Sequence, residues 1–173
     1  MAAPVDTAGD TRDRAELALA RPGTDRLAEL ERRIDALDAQ SAARRLHARY
    51  AQACDDADPD AVTALFRDDG ELWAGDRRLR GHDEIRAFYA HALGTTCHVV
   101  GAADLQSEDT AVVGGAAFLA VSLAGTGSQL IWGRYADRID VPAAGADARF
   151  ASRRITIEGR ALLTTSPDGT EAS

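Results

Sequence analysis

Hydrophobic positions recur along the first third of the chain at helical spacing. Leu27, Leu30, Ile34 and Leu37 repeat at intervals of three and four, which is one face of an amphipathic helix. Thr24 is placed to cap it, and the face continues through Ala43, Leu46, Tyr50 and Ala53, with a kink near Gln40-Ser41 as one option. The spacing of the first half also suits packing on a partner chain, although two heptads fall short of a coiled-coil signature. The next stretch, LHARYAQACDDADPDAVTALF over Leu46 to Phe66, reads as a helix end, a sharp break and a second short helix. Asp58 suits the cap of the new helix and Pro59 its first turn. Val62, Leu65 and Phe66 supply its apolar stripe. Glu71 to Ala74 reads as a strand and Gly75-Asp76 as a turn. Asp83 to Leu93 reads as a helix stopped by Gly94.

From Thr95 the period changes to two. TTCHVVGAADLQ, TAVVGGAAFLAVSLAG, SQLIWGRYADRIDV and ARFASRRITIEG are strand-like and separated by short turns, the pattern of an antiparallel meander. Gly114-Gly115 inside a strand points to a bulge or bend. Helices first and a long curved sheet afterwards define an α+β layer, with helices across the mouth of the curl and a pocket beneath them. Residues 1–23 are small, polar and charged and read as a disordered N-terminal arm, and 166–173 as a disordered tail.

At 173 residues the chain fits one domain with a substantial core. Its formal net charge of -8 argues against nucleic acid and anionic membrane surfaces as partners. The arginine pairs, Arg153-Arg154 among them, are scattered among carboxylates, which suits solvated helix faces and strand edges. Two cysteines, Cys54 and Cys97, make no disulfide framework. No apolar run resembles a signal peptide or a membrane span, so a cytoplasmic location is expected.

Several residues carry candidate chemistry. His98 lies in an otherwise apolar strand, on one face with Val100 and Ala102, while Cys97 points the other way. Histidine suits general acid–base work, and a hydrogen-bonded structural histidine is the competing reading. Asp55 is the natural carboxylate partner, fixing the imidazole tautomer, unless it is one more solvated aspartate in the helix break. Tyr50 lies on the apolar helix face, either as a core ring or as a hydroxyl donor to a substrate oxygen. Trp73, Phe118, Trp132 and Tyr135 sit on strands and either line a flat apolar pocket or fill the core. Arg134, in phase with Trp132, must meet solvent, a carboxylate or a polar cavity. The alternation leaves open which face of that strand points inward. His47, His82, His91 and His98 show no tight metal-ligand spacing, so no metal is expected. Gly125-Thr126-Gly127 is followed by no helix and reads as a hairpin turn, not a phosphate cradle.

Taken in order, LAELERRIDALDAQSAARRLHARYAQACDDADPDAVTALFRDDGELW, RGHDEIRAFYAHAL, TTCHVVGA, GRYADRI and ARFASRRITI resemble the SnoaL-like proteins of the nuclear-transport-factor-like superfamily. The resemblance covers roughly residues 25 to 163, with the domain expected over 24–165. It implies a cone-shaped barrel whose curved antiparallel sheet carries the N-terminal helices on its concave face. It also implies dehydratase, cyclase or isomerase chemistry without a cofactor, on a hydrophobic oxygenated molecule such as a polyketide-type intermediate. A ligand-binding or accessory-subunit module is the alternative. Dehydratases of this kind use a Tyr and an Asp near the end of the first long helix and a His on the first meander strand. Those positions are Tyr50, Asp55 and His98 here. The scytalone type has a further Tyr where this chain has Cys54, and a strand Tyr near Trp73. The frequent double His is Cys97-His98, and the Asn that often follows is Ala102 or Ala103. By the same resemblance Trp73, Trp132, Phe118 and Cys54 are expected to line the substrate cavity, with Arg134 inside it or at its rim. Relatives are commonly dimers through the outer sheet face, so a homodimer is expected.

Overall fold

The structure, a computed structural model, describes residues 21–108, 111–124, 127–142 and 147–163. The expected disordered arm lies outside these residues except for 21–23, which open the first helix, and the expected tail lies wholly outside them. Helix α1 runs Arg21–Asp55 without interruption at Gln40-Ser41. It crosses the boundary between two compact units, residues 1–38 and 39–173. In the first unit the described residues form only the opening half of α1. There Leu27, Leu30, Ile34 and Leu37 are between 45% and 64% exposed.

The second unit holds the core. Ala43, Leu46, Tyr50, Ala53 and Cys54 on α1 are buried, which is the helical stripe expected from their spacing. After α1 the chain breaks at Ala57, whose φ of 52° is left-handed. Asp58 then accepts a hydrogen bond from the Ala61 N–H at 2.9 Å and caps α2, Pro59–Ala64. Strand β1, Phe66–Ala74, turns through Gly75-Asp76 into β2, Arg77–Arg80. Helix α3, Gly81–Ala92, follows with Ile85 and Tyr89 buried.

The stretch read as one strand from Thr95 is two, β3, Thr95–Val100, and β4, Asp104–Glu108. Both pair with the same strand, β5, Ala111–Ala124, β4 along its first five residues and β3 along Phe118–Leu123. Strands β6, Gly127–Asp140, and β7, Arg149–Leu163, complete the meander. The seven-stranded sheet has the order β2-β1-β7-β6-β5-β3, with β4 beside β5. The fold is the expected α+β curved sheet covered by helices. The sheet is mixed, because β1 joins β7 in parallel with Phe66 opposite Phe150, and it is not closed into a full barrel, β2 and β3 standing at its two ends.

At Gly114-Gly115, where a bulge or bend is expected, Gly114 adopts φ +144°, but the β4–β5 and β5–β6 registers run through unbroken and no bulge forms. A Cβ at Gly114 would lie 2.0 Å from the Asp104 carbonyl oxygen. Replacing Gly114 with alanine therefore forces both a disfavoured backbone and a clash with β4. We expect a loss above about 1 kcal/mol in urea unfolding. Gly127→Ala, where nothing lies within 4 Å, is the near-neutral control.

Candidate active site

Beneath the helices lies a cavity of about 460 Å³, within the size range of small-molecule sites. Its polar groups include Tyr50, Cys54, Tyr89, Thr96, His98 and Tyr135, and its apolar wall includes Phe88, Phe118, Ile131, Ile155 and Ile157. The alternation on β3 places His98, Thr96 and Val100 on the inner face, leaving Thr95, Cys97 and Val99 exposed. His98 stands opposite Ala120 and Val100 opposite Phe118 on β5.

The end of α1 meets β3 at Asp55. One carboxylate oxygen accepts from the His98 backbone N–H at 3.0 Å, and the other lies 2.6 Å from His98 Nδ1. The Thr96 hydroxyl donates to the second oxygen at 3.3 Å. Burial would raise the carboxyl's pKa. The hydrogen bonds from the His98 backbone and ring, with that from Thr96, more than offset this and hold it below the ordinary carboxylate value. An ionised Asp55 can only accept, so Nδ1 carries a proton, and in the neutral imidazole the lone pair lies on Nε2.

Tyr50 and Tyr89 form a buried pair with hydroxyl oxygens 2.7 Å apart. Burial, reinforced by Tyr89, pushes the Tyr50 phenol well above its usual range, so it remains a neutral donor. One hydroxyl donates to the other, and the remaining phenolic proton can turn to Cys54 or to a ligand. Burial also pushes the Cys54 thiol up to about 11, against the hydrogen bond from Tyr50. Cys54 is thus a protonated wall residue and not a nucleophile.

Of the residues singled out from sequence, Tyr50, Cys54, His98 and Phe118 line this cavity, and Asp55 sits directly behind His98. Trp73, Trp132 and Arg134 do not, which corrects the expectation for those three. On β6 the buried positions are Gly133, Tyr135, Asp137 and Ile139, so Trp132 and Arg134 face outward. Arg134 pairs there with Glu158 at 2.8 Å. Trp73 lies on the outer face of β1 between the guanidinium groups of Arg78 and Arg154, 5.1 and 4.4 Å from its ring centre.

A second correction concerns Arg153, which is not at a solvated edge but has no exposure at all. It grips Asp137 through two hydrogen bonds of 2.9 and 2.8 Å. Its guanidinium carbon lies about 4 Å from the ring centres of Tyr50, Tyr135 and Phe150, at 4.0, 4.1 and 4.0 Å. Its Nη1 has no hydrogen-bond acceptor, and the three rings take that place. His47 Nε2 lies 2.8 Å from Asp137 Oδ2, the oxygen that also accepts from Arg153 Nη2. The parity of β6, which puts Asp137 in phase with Tyr135, was the available hint of this cluster. Among the described residues no three His, Cys, Asp or Glu side chains gather as a metal site would require. None of their helices is long and apolar enough to cross a membrane.

The SnoaL-like domain model matches residues 35–160, most of the chain, and the protein belongs to that family. Comparison with curated protein sequences finds no match. Among solved structures, a provisionally assigned scytalone dehydratase from Novosphingobium aromaticivorans aligns with a TM-score of 0.65 at 19% identity. The alignment covers 79% of this chain and 97% of that one. A type 2 hexachlorocyclohexane dehydrochlorinase, LinA, aligns with a TM-score of 0.66 at 17% identity over 77% of this chain and 96% of that one. The beta subunit of a provisionally assigned aromatic-ring-hydroxylating dioxygenase, also from Novosphingobium aromaticivorans, aligns with a TM-score of 0.61 at 21% identity. That match covers 71% of this chain and 91% of the subunit. At these identities the likeness is one of fold.

Proposed function

We propose that the protein is an acid–base lyase or isomerase acting on a hydrophobic oxygenated small molecule, such as a polyketide-type intermediate, with dehydration as the leading reaction. The observation that supports it most is the 2.6 Å contact of Asp55 with His98 Nδ1 beside a largely apolar cavity. In the reaction we envisage, His98 Nε2 takes a proton from carbon next to a carbonyl. The electron pair of that C–H bond becomes the new C=C bond, and the C–O bond of the β-hydroxyl breaks with its electrons leaving on oxygen. The imidazolium returns its proton to the departing oxygen, so water is lost and the enzyme is restored. A phenolic proton of the Tyr50–Tyr89 pair stabilises the negative charge that grows on the carbonyl oxygen. The step needs only side chains and substrate. In an isomerase the same base would return the proton to another carbon.

The test is a panel of β-hydroxy ketones and hydroxylated aromatic precursors incubated with the protein and read by mass spectrometry. Loss of water from a panel member, absent with His98→Ala, supports the lyase reading. A change of structure at constant mass points to the isomerase. If no compound is converted while several bind, the chain is a small-molecule-binding module of the same fold.

A further inference from the structure

Where β6 and β7 pair, the register slips by one residue between Trp132 and Gly133: Trp132 faces Gly159, Gly133 faces Ile157, and Glu158 is the extra residue. Strict alternation from Arg153, Ile155 and Ile157 would send Arg160 to the outer face. The bulge reverses the parity, so Arg160 stands opposite Ile131 and lines the cavity. Gly159 lies against the Trp132 ring, which comes within 2.1 Å of where a Cβ would stand. Bulges commonly re-aim a side chain beside a functional site.

Among the described residues, Arg160 is the only carboxylate, ammonium or guanidinium group in the cavity lining. The neighbouring Arg134 is matched by Glu158 on the outer face. Arg160 has no hydrogen-bond or ion-pair partner among the described residues. The chain as a whole carries a net charge of -8, a field that repels anions. An unmatched guanidinium at the edge of an apolar cavity is thus placed against the global charge, and its fork matches a carboxylate in two-point contact.

We infer that Arg160 is a specificity-determining residue that binds a carboxylate on the ligand, so that the ligand is an amphipathic organic acid. The carboxylate sits at the mouth and the apolar body reaches toward His98. This rests on the cavity being the ligand site, as proposed above, but not on the proton transfer. Because Arg160 is exposed, solvent screening limits its effect to about tenfold in affinity.

The probes are 1-naphthoate and its methyl ester, matched in shape and differing in charge, titrated calorimetrically into the full chain. We expect naphthoate to bind about tenfold more tightly than the ester. Arg160→Gln should erase that preference while leaving ester affinity unchanged, and Arg160→Lys should retain part of it. Equal affinity for the two probes, no binding of naphthoate, or a preference that survives in Arg160→Gln overturns the inference. His98→Ala should keep the preference. Failure of the acid–base reading therefore shows in turnover and failure of this one in binding.

An independent observation concerns the first unit. Leu27, Leu30, Ile34 and Leu37 occupy a, d, a and d positions of two heptads and are all exposed. Arg26 and Arg33 then fall at g, and Glu31 and Asp38 at e. In a parallel pair each g residue meets the e residue of the next heptad on the partner, here Arg26 with Glu31 and Arg33 with Asp38. An antiparallel pair would oppose like charges. Ile34 at the second a position with Leu30 and Leu37 at d favours two strands, the first a position being Leu27. The geometry points to a second copy of this chain as the occupant, in a short parallel coiled coil. Leu30→Cys in a Cys97→Ser background should form a disulfide-linked dimer on mild oxidation. Adding Glu31→Arg with Asp38→Arg should abolish it, and mixing in a chain that carries Leu30→Cys with Arg26→Glu and Arg33→Glu should restore it as a heterodimer. A purely monomeric parent in sedimentation, or cross-linking indifferent to these charges, overturns the assignment.

Discussion

Replacing Arg153 with alanine is expected to cost the fold about 3–5 kcal/mol, the usual penalty for stranding one partner of a buried pair. Asp137 would lose two hydrogen bonds and its counter-charge, while Tyr50, Tyr135 and Phe150 would lose the cation they surround. In urea this is a fall of roughly 1–3 M in the unfolding midpoint. The double replacement Arg153→Met with Asp137→Leu should recover most of the loss, because the two desolvation penalties disappear together. The sign of the pH effect follows from Asp137. Burial raises its pKa, but the Arg153 charge and hydrogen bonds, with His47, more than offset this and hold it below the ordinary range. A carboxyl depressed in the folded state stabilises above its unfolded value of about 4 and loses that contribution as pH falls through the folded value. Without Arg153, burial dominates and the stranded carboxyl gains from protonation. The stability gap between wild type and Arg153→Ala should accordingly be widest near neutrality and narrow toward pH ~3. A gap that stays constant with pH would show that the loss is one of packing and not of charge.

Loss of turnover is the second large effect. His98→Ala should lower kcat by about 10²–10⁴-fold, the usual share of a positioned acid–base group, in the reaction identified by the precursor panel. Asp55→Asn leaves the imidazole in place and removes the acceptor that keeps the proton on Nδ1. Its loss should fall in the same range. It should also show a signature that a merely structural change would not, a mixture of His98 tautomers in ¹⁵N spectra where the wild type shows the Nδ1–H form. Equal turnover in wild type and both variants would remove the pair from the chemistry.

The Asp55–His98 pair was legible because its parts lie at punctuation points: a helix end followed by a capped break, and a strand whose period puts His98 opposite Cys97. Asp58 and Pro59 marked that break by local chemistry alone. The inward face of β6 was not legible. Apolar and polar residues occur on both of its faces, and only pairing with β5 and β7 decides between them. Arg153 was misread for a related reason. An arginine beside another arginine reads as surface, and nothing local shows that Asp137, Tyr50 and Tyr135 converge on it from other elements. Arg160 was hidden by a one-residue slip that no alternation rule anticipates.

The parallel seam between β1 and β7 also governs how the domain can be made. Phe66 waits for Phe150, so this seam cannot form until synthesis has passed β7. Such a closure over a long loop slows folding. Until β7 arrives, Asp137 lacks the arginine that neutralises it. A nascent chain ending short of Arg149 would therefore carry an unpaired acid where its core should form. Assembly of the meander is thereby tied to arrival of its last strand, and trimming that strand should prevent folding rather than merely loosen one edge of the sheet.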